Sequence, residues 1–301
     1  MIVKKKKIMG YKCRYCGSRL LEFVYYVDSY ELIKCKKCKL LQTKVSTKEL
    51  KNINYSKYNS LYLNDYTNER SKELIIFYKS IIKKIEKYYN KGKLLDYGCS
   101  TGLFLKTIKM LGDKWNLYGI DINKKSINRA KSSVKAKFNL GFLKKNTYQI
   151  NFFNVITCFD VLEHDINLTK TIKILHIILK KKGIIIIQVP NYQSLMAYLT
   201  KDKWDWWCIP DHLYHFSIET ITKVLVNNRF KIISLTTRQP KHFFIENIRG
   251  VIRERLTNYQ YLNKFIAKIS YFLLYVLWLL LKIFDSKIKK GGLILIIAQK
   301  I

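Results

Sequence analysis

Residues 93–104 read KLLDYGCSTGLF, and this stretch decides the fold that the sequence predicts. An apolar run ends at Asp96, glycines follow at positions 98 and 102, and a second apolar run begins at Leu103. Because the whole chain has only 12 glycines among 301 residues, two of them in one short turn indicate a backbone requirement. We predict a buried strand, a glycine turn and a helix over Leu103–Leu111, an arrangement that presents free backbone N–H groups to a ligand.

Strands and helices alternate after this turn, a pattern that favours a parallel sheet. The second strand, WNLYGID, ends at Asp121, a third lies within AKFNLGFL, and a fourth, NFFNVITCF, precedes Asp160 and Glu163. A helix over Thr169–Lys182 then leads to a fifth strand, IIIIQVPN. Acidic residues number only 21, yet four of them, Asp96 included, follow predicted strands at their carboxyl ends. That edge is where open α/β sheets bind their ligands.

The glycine turn resembles motif I of the class I S-adenosylmethionine (SAM)-dependent methyltransferases, in which an acidic residue precedes Gly-x-Gly-x-Gly. Ser100 stands where a glycine is commoner in that motif. The order of LLDYGCSTG, GID, FDVLEH, KKGIIIIQVPN and DHLYHFS is similar to one subfamily of these enzymes that carries an N-terminal zinc ribbon. The resemblance implies an α/β fold with a Rossmann-like seven-stranded sheet, its last strand antiparallel beside the sixth, preceded by the ribbon.

The resemblance also implies SAM as the cofactor and a set of residues that bind it. Asp121 lies about twenty positions beyond the glycine turn, where an acidic residue can accept both hydroxyls of an adenosine ribose. Aromatic and basic residues before motif I would cover the methionine end of the cofactor. The candidates for SAM binding are Asp96, Gly98, Cys99, Ser100, Gly102, Asp121, Ile122, Asp160, Arg70 and Tyr66.

Methyl transfer to a hydroxyl or an acidic carbon needs a base. His164 and His212 are the candidate bases because both fall in loops at the ligand-binding edge, and His215 ranks third. Glu163 would orient the base or the acceptor. The alternative is that each histidine has a structural role. The segment KWDWW over 203–207 leaves two interpretations open, a wall that stacks against an apolar or sugar substrate and plain buried packing.

Four of the seven cysteines form two C-x-x-C pairs separated by eighteen residues. The pairs are Cys13 with Cys16 and Cys35 with Cys38. The spacer alternates like a β-hairpin with a turn near residues 28–29, so four thiolates would close a tetrahedron around structural Zn²⁺. Four unligated cysteines are the alternative. The basic N-terminal run has no apolar stretch behind it, which predicts no secretory signal and places the chain in a reducing cytoplasm.

We predict a zinc ribbon over 1–45 and a SAM-dependent methyltransferase domain over 46–301. The domain would begin with a helical lead-in over 46–92 and contain a basic, apolar helical insertion over 249–290. The formal charge is +35. Since acidic residues are scarce, this charge points to an anionic partner, with a merely well-solvated surface as the alternative.

The predicted function is transfer of a methyl group to a small-molecule, sugar or lipid-linked glycan acceptor. The rival hypothesis is an RNA-binding protein or RNA methyltransferase that uses the ribbon and the basic surface, with binding that falls steeply with salt.

The uncharged run Ile269–Leu281 is shorter than the roughly twenty residues that span a bilayer. It predicts an in-plane or re-entrant helix on an anionic membrane, hence a cytoplasmic protein peripheral to the inner membrane face. A homodimer interface and a lid over the substrate are the alternatives.

Overall fold

The computed structural model describes residues 10–52, 68–245, 247–248, 273, 275–276, 278–279 and 288–301. Tyr66, most of the predicted insertion over 249–290 and most of the run Ile269–Leu281 lie outside the described residues. The chain forms two compact units. The first, here called the ribbon unit, comprises 1–45, 189–221 and 235–295, and the second, the sheet unit, comprises 46–188, 222–234 and 296–301.

The strands are β1 (Leu21–Val27), β2 (Tyr30–Cys35), β3 (Leu41–Thr43), β4 (Gly92–Tyr97), β5 (Trp115–Asp121), β6 (Lys137–Leu140), β7 (Phe153–Phe159), β8 (Leu179–Pro190), β9 (Tyr214–His215), β10 (Phe230–Arg238) and β11 (Leu293–Lys300). The α-helices whose bounds the described residues give are α1 (Thr47–Asn52), α2 (Asn68–Glu86), α3 (Leu103–Met110), α4 (Lys124–Ser133), α5 (Leu168–Ile178), α6 (Leu195–Thr200) and α7 (Ile218–Val226). In the described part of the chain, no helix is both long and apolar enough to cross a lipid bilayer.

The larger sheet has seven strands, most of whose residues belong to the sheet unit, in the order β10-β11-β8-β7-β4-β5-β6. Strand β4 pairs in parallel with both β5 and β7, and β6 and β8 extend the parallel pairing on either side. The last strand, β11, is antiparallel and lies between β8 and β10. The predicted Rossmann-like sheet with its antiparallel last strand is therefore confirmed.

The centre of this sheet is buried on both faces, which explains the continuous apolar runs in its strands. Residues Ile184–Ile187 of β8 are at most 1% exposed, and Leu94 and Leu95 of β4 are fully buried. Parallel strands covered on both faces lose the alternation of apolar and polar residues that half-exposed strands show.

The helix predicted over Thr169–Lys182 ends earlier than expected, at Ile178. Leu179 already has extended backbone, with φ −76° and ψ 137°, and its fully buried side chain begins β8 opposite Phe153. Burial of Leu179 in the sheet thus ends the helix before Lys180–Lys182, which the sequence pattern had assigned to it.

The ribbon unit contains a four-stranded antiparallel sheet with the order β1-β2-β3-β9. The predicted hairpin turn is confirmed, because Asp28 and Ser29 join β1 to β2 with left-handed φ of 44° and 66°. Strand β9 comes from a segment far along the chain and pairs Leu41 with His215. Three tryptophans, Trp204, Trp206 and Trp207, are at most 7% exposed in the core of this unit, which confirms the buried-packing interpretation.

Candidate active site and candidate metal centre

The turn after β4 requires glycine at its first position. Gly98 has φ 78°, its N–H donates to the Ile120 carbonyl oxygen over 2.8 Å, and a Cβ atom there would lie 2.2 Å from Val161 Cγ2. Ser100 also adopts a left-handed φ, 46°, which explains why glycine is commoner at this position of the motif. Gly102, with φ 79°, then begins α3. The turn therefore wraps its backbone closely around the carboxyl ends of β4 and β5.

Asp121, at the end of β5, holds this turn in place through its carboxylate. Oδ2 accepts a hydrogen bond from Ser100 N over 2.9 Å, and Oδ1 accepts one from Asn123 N over 2.8 Å. Burial raises the pKa of Asp121, and these backbone donors oppose that rise. Since each carboxylate oxygen can accept more than one hydrogen bond, Asp121 retains acceptor capacity for a ligand.

Asp96, at the end of β4, is buried, with 3% of its surface exposed. Thr157 Oγ1 donates to Asp96 Oδ1 over 2.7 Å. Burial raises the pKa of Asp96 to about 7, and the neighbouring charge of Asp121 adds to the rise. A buried carboxyl with a pKa near neutrality is a common feature of ligand-binding sites.

Acidic side chains also follow β7. Asp160 has φ 55°, and its Oδ2 accepts a hydrogen bond from Gln188 Nε2 over 2.9 Å. Glu163, in a short 3-10 turn over Leu162–His164, is 1% exposed. Neither of its carboxylate oxygens has a hydrogen-bond partner among the described residues. Burial, helped by the charge of Asp160, raises the pKa of Glu163 well above its ordinary value and so favours the protonated form of this side chain.

The sheet unit thus brings most of the predicted SAM-binding residues to one edge. Asp96, Gly98, Cys99, Ser100, Gly102, Asp121, Ile122 and Asp160 all lie at or just after the carboxyl ends of β4, β5 and β7. Arg70 is half-buried on α2, and Tyr66 lies outside the described residues. His164 is half-buried beside Glu163.

The sequence reasoning missed two residues that hold the acids in place, Thr157 and Gln188. Each is a buried polar side chain inside an otherwise apolar strand, ITCF and IIIIQVP respectively. A polar residue in a strand buried on both faces needs a hydrogen-bond partner, and that was the available signal.

His212 and His215, the other candidate bases, belong to the ribbon unit and are 5% and 3% exposed. His212 Nδ1 lies 2.8 Å from the Trp206 carbonyl oxygen. Because a carbonyl only accepts, Nδ1 carries a proton, so in the neutral tautomer the lone pair is on Nε2, as a base requires. His215 Nε2 lies 2.9 Å from Thr43 Oγ1, and burial lowers the pKa of His215 to about 3, so this ring is neutral.

The four paired cysteines form a cluster in the ribbon unit. The Sγ atoms of Cys13, Cys16, Cys35 and Cys38 all lie within 4.8 Å of one another. The Sγ–Sγ distance is 3.6 Å both between Cys13 and Cys38 and between Cys16 and Cys35. Four thiolates around one zinc ion at about 2.3 Å would be about 3.8 Å apart, so the donor set and its spacing fit tetrahedral zinc.

The two cysteine turns have matching backbone geometry. Gly17 N donates to the Cys13 carbonyl oxygen and Lys39 N to that of Cys35, both over 2.8 Å. Gly17 and Lys39 have left-handed φ of 73° and 65°. Gln42 Nε2 also donates to Cys13 Sγ over 3.1 Å, the kind of N–H···S contact that supports a metal thiolate.

The raised pKa of Asp96 predicts a pH-dependent stability difference between the wild type and Asp96→Asn. Since the folded-state pKa is about 7 and the ordinary value 3.8, the folded chain holds a proton that the unfolded chain releases between these values. The contribution of protonated Asp96 to the free energy of unfolding is therefore fully present below the ordinary pKa, and it is lost as the pH rises through 7. We expect Asp96→Asn, which keeps an acceptor for Thr157, to gain up to about 4 kcal/mol relative to wild type between pH 4 and pH 7.

Urea unfolding of the ligand-free protein across this pH range measures the difference. Asp113→Asn is the control, because Asp113 is exposed and hydrogen-bonded to Lys109, which lowers the pKa of its carboxyl. A stability difference between Asp96→Asn and wild type that does not change with pH would contradict the prediction.

Comparisons with known proteins agree with this architecture. A family model described as a methyltransferase domain matches residues 68–235, more than half of the chain. Ubiquinone biosynthesis O-methyltransferases from Rickettsia bellii and Rickettsia prowazekii are each 30% identical over 126 residues, which cover 40% of this chain and 51% and 49% of theirs. The chain thus spans about half the length of the curated relatives it matches.

Among solved structures, a SAM-dependent methyltransferase from Archaeoglobus fulgidus matches with a TM-score of 0.50. The match has 17% identity and covers 75% of this chain and 93% of that protein, so it shows a shared fold. The family match over residues 68–235 and the strand order show that this chain belongs to the methyltransferase domain family and has the class I fold of the SAM-dependent methyltransferases.

Proposed function

We propose that this protein transfers the methyl group of SAM to a hydroxyl of a small-molecule acceptor. The observation that carries the proposal is the geometry at the sheet edge, where Asp121 anchors the tight glycine turn at Ser100 and the buried Asp96 lies beside it. The family match over residues 68–235 supports methyl transfer as the reaction class.

The residues at this edge fit the cofactor. Asp121 would accept the ribose hydroxyls, because its carboxylate is fixed by two backbone donors and has acceptor capacity left. The left-handed turn at Gly98 and Ser100 lets the ligand approach the backbone closely, and Asp160, oriented by Gln188, would line the pocket. Bound SAM supplies an electrophilic methyl group on a sulfonium ion, and an enzyme gains rate mainly by holding the acceptor in line with it.

Two side chains that follow Asp160 in the sequence, Glu163 and His164, would orient the methyl acceptor and remove its proton. The buried carboxyl oxygens of Glu163 have no partner among the described residues, and burial favours the protonated form, which would donate a hydrogen bond to an acceptor oxygen and orient it. His164, adjacent in the same turn, would take the acceptor proton. His212 is the other candidate base, because its Nδ1–H donates to the Trp206 carbonyl oxygen and a neutral ring in this tautomer has its lone pair on Nε2.

The names of the curated relatives favour a hydroxyl acceptor, since both are O-methyltransferases of ubiquinone biosynthesis. Sugars and lipid-linked glycans offer the same chemistry and stay within the proposal. The charge of +35 favours an acceptor with phosphate groups, and it is also the observation that supports RNA as a second candidate substrate.

The experiment is calorimetry with SAM and S-adenosylhomocysteine, followed by an assay of S-adenosylhomocysteine release with a catechol, a nucleotide sugar, a lipid-linked glycan and RNA. We expect both cofactor forms to bind and a small-molecule hydroxyl to be methylated. His164→Gln and His212→Gln should both retain SAM binding, and the variant that loses turnover identifies the base. Absence of SAM binding at high micromolar concentration would overturn the proposal, whereas methylation of RNA alone at physiological salt would make RNA the substrate.

We further propose peripheral contact with an anionic membrane through the described helical positions 273, 275–276 and 278–279. Leu273, Val276 and Leu279 share one helix face and are exposed, Leu273 by 60%. Trp278, on the other side, donates its Nε1 proton to the Gln239 carbonyl oxygen over 2.8 Å. The outward face is therefore apolar, and the lysine-rich sequence around it would attract anionic lipid at about 1 kcal/mol for each cation near the surface.

Flotation with anionic vesicles at low salt tests this contact. Aspartate at Leu273, Val276 and Leu279 together should lower the bound fraction at least about tenfold, because three apolar side chains no longer enter the interface. Aspartate at three exposed apolar positions elsewhere, Ile76, Met110 and Ile150, is the control and should leave binding unchanged. A wild-type protein that does not float contradicts the proposal.

A further inference from the structure

Strand β3 connects the cysteine cluster to the histidine segment within the ribbon unit. Successive side chains on a strand point to opposite faces. Gln42 points toward the cysteines, with its Nε2 3.1 Å from Cys13 Sγ and its Oε1 accepting from Arg14 N over 2.9 Å. Thr43, the next residue, points toward His212 and His215. Both Gln42 and Thr43 are fully buried, so neither side chain has water as an alternative partner.

The Thr43 hydroxyl makes two hydrogen bonds whose directions are fixed by chemistry. Oγ1 lies 2.7 Å from the His212 carbonyl oxygen and 2.9 Å from His215 Nε2. The hydroxyl has one proton, and the carbonyl can only accept, so Thr43 donates to His212 and accepts from His215 Nε2–H. One side chain thus fixes both the backbone at His212 and the tautomer of His215.

The backbone and the aromatic residues continue this connection. Gln42 pairs with Tyr214 in the β3–β9 ladder, and Thr43 N donates to the Leu213 carbonyl oxygen over 3.2 Å. The ring centroids of Trp207 and His215 are 4.9 Å apart, in an edge-to-face arrangement. His212 Nδ1–H in turn binds the Trp206 carbonyl oxygen. The segment over residues 204–217 is therefore anchored to β3 by its backbone and by the His215 ring, and its tryptophans contact the two histidines.

We propose that metal binding at the four cysteines orders the segment 204–217 through β3, with Gln42 and Thr43 as positioning residues. Gln42 connects β3 to Cys13 Sγ by a hydrogen bond, and Thr43 connects the same strand to His212 and His215 by two more. The metal centre then controls the placement of His212 as well as the stability of the ribbon itself. The effect on catalysis rests on the proposed function, whereas the ordering of the segment does not.

Hydrogen–deuterium exchange on the full chain tests the ordering directly. Removal of zinc from the wild type with a chelator should increase exchange at least tenfold in peptides over 204–217. Peptides over β4 and β7 in the sheet unit should not change. Unchanged exchange over 204–217 after metal removal would overturn the proposal.

Variants of Thr43 test the positioning role with zinc present. Thr43→Val removes the hydroxyl at nearly constant volume and should increase exchange at 212–217 severalfold, whereas Thr43→Ser retains the hydroxyl and should match the wild type. Equal behaviour of the two variants would overturn the role of the hydroxyl. If Thr43→Val does not fold, Gln42→Leu replaces it, with an expected 10- to 100-fold loss of zinc affinity in chelator competition. Wild-type zinc affinity in Gln42→Leu would overturn the link to the cluster.

Measurement of kcat and SAM affinity distinguishes a positioning role of Thr43 from a general loss of stability in Thr43→Val. Thr43→Val should lower kcat about tenfold, leave SAM affinity unchanged, and be rescued by serine. A Thr43→Val enzyme with wild-type kcat would overturn the catalytic consequence. If the wild type binds SAM but methylates no acceptor, the proposed function fails while the exchange experiment still decides the ordering of the segment.

Discussion

Asp121→Asn is expected to weaken SAM binding roughly 100-fold or more, because two hydrogen bonds donated to a charged acceptor each contribute about 1.5–3 kcal/mol. The substitution changes a second feature as well. Both carboxylate oxygens of Asp121 accept backbone N–H groups, from Ser100 and Asn123. An amide has only one acceptor oxygen, so its NH₂ group would face a backbone donor and loosen the glycine turn. The loss of SAM affinity therefore combines a missing acceptor for the ribose hydroxyls with a loosened glycine turn.

Calorimetry with SAM and S-adenosylhomocysteine measures this loss. The two ligands differ in charge at sulfur and share the ribose, so both should weaken by a similar factor if Asp121 binds the hydroxyls. Asp113→Asn removes an acidic side chain that is exposed on the loop after α3 and serves as the control. A change of less than about threefold in SAM affinity for Asp121→Asn would remove this residue from the cofactor site.

The location of the acids was predictable from sequence because it follows from strand topology. Asp96, Asp121 and Asp160 each follow an apolar run, and parallel strands bring such positions to one edge. Their partners were not predictable in the same way. Thr157 binds Asp96 across two neighbouring strands, and Gln188 binds Asp160 in the same manner, contacts that depend on strand register. Periodicity along one segment carries no information about register.

In the ribbon unit too, the sequence predicts the local features but not the pairing of distant strands. The spacing of the four cysteines predicted their convergence, because two short turns suffice to bring the sulfur atoms together. The pairing of Leu41 with His215 joins strands more than 170 residues apart, and β9 has only two residues, too few for any periodic pattern. The three tryptophans, for which the sequence alone allows two interpretations, pack in the same buried cluster as Leu41.

Cys13→Ser is expected to abolish metal binding and to unfold the ribbon sheet. We propose that the cluster binds one zinc ion per chain, since four sulfur donors within 4.8 Å close a tetrahedron. Structural zinc binds zinc-finger peptides with about 10–16 kcal/mol, so metal binding is much of the folding free energy of a small cysteine-rich sheet. Replacing one of four thiolates leaves three and gives the Gln42 amide a neutral hydroxyl in place of its thiolate acceptor. Both effects act on β3, the strand on which the ribbon sheet and the segment over 204–217 meet.

Elemental analysis of purified protein, together with thermal unfolding, measures this outcome. The wild type should contain one zinc per chain, and Cys13→Ser should contain close to none and melt at a lower temperature. Cys208→Ser is the matched control, because Cys208 is exposed and outside the cluster, so zinc content and melting should match the wild type. A Cys13→Ser protein with full zinc content would exclude the cluster as the metal site. Wild-type melting that is unaffected by chelation would show instead that the cysteines pack without a metal, as buried thiols do in ordinary cores.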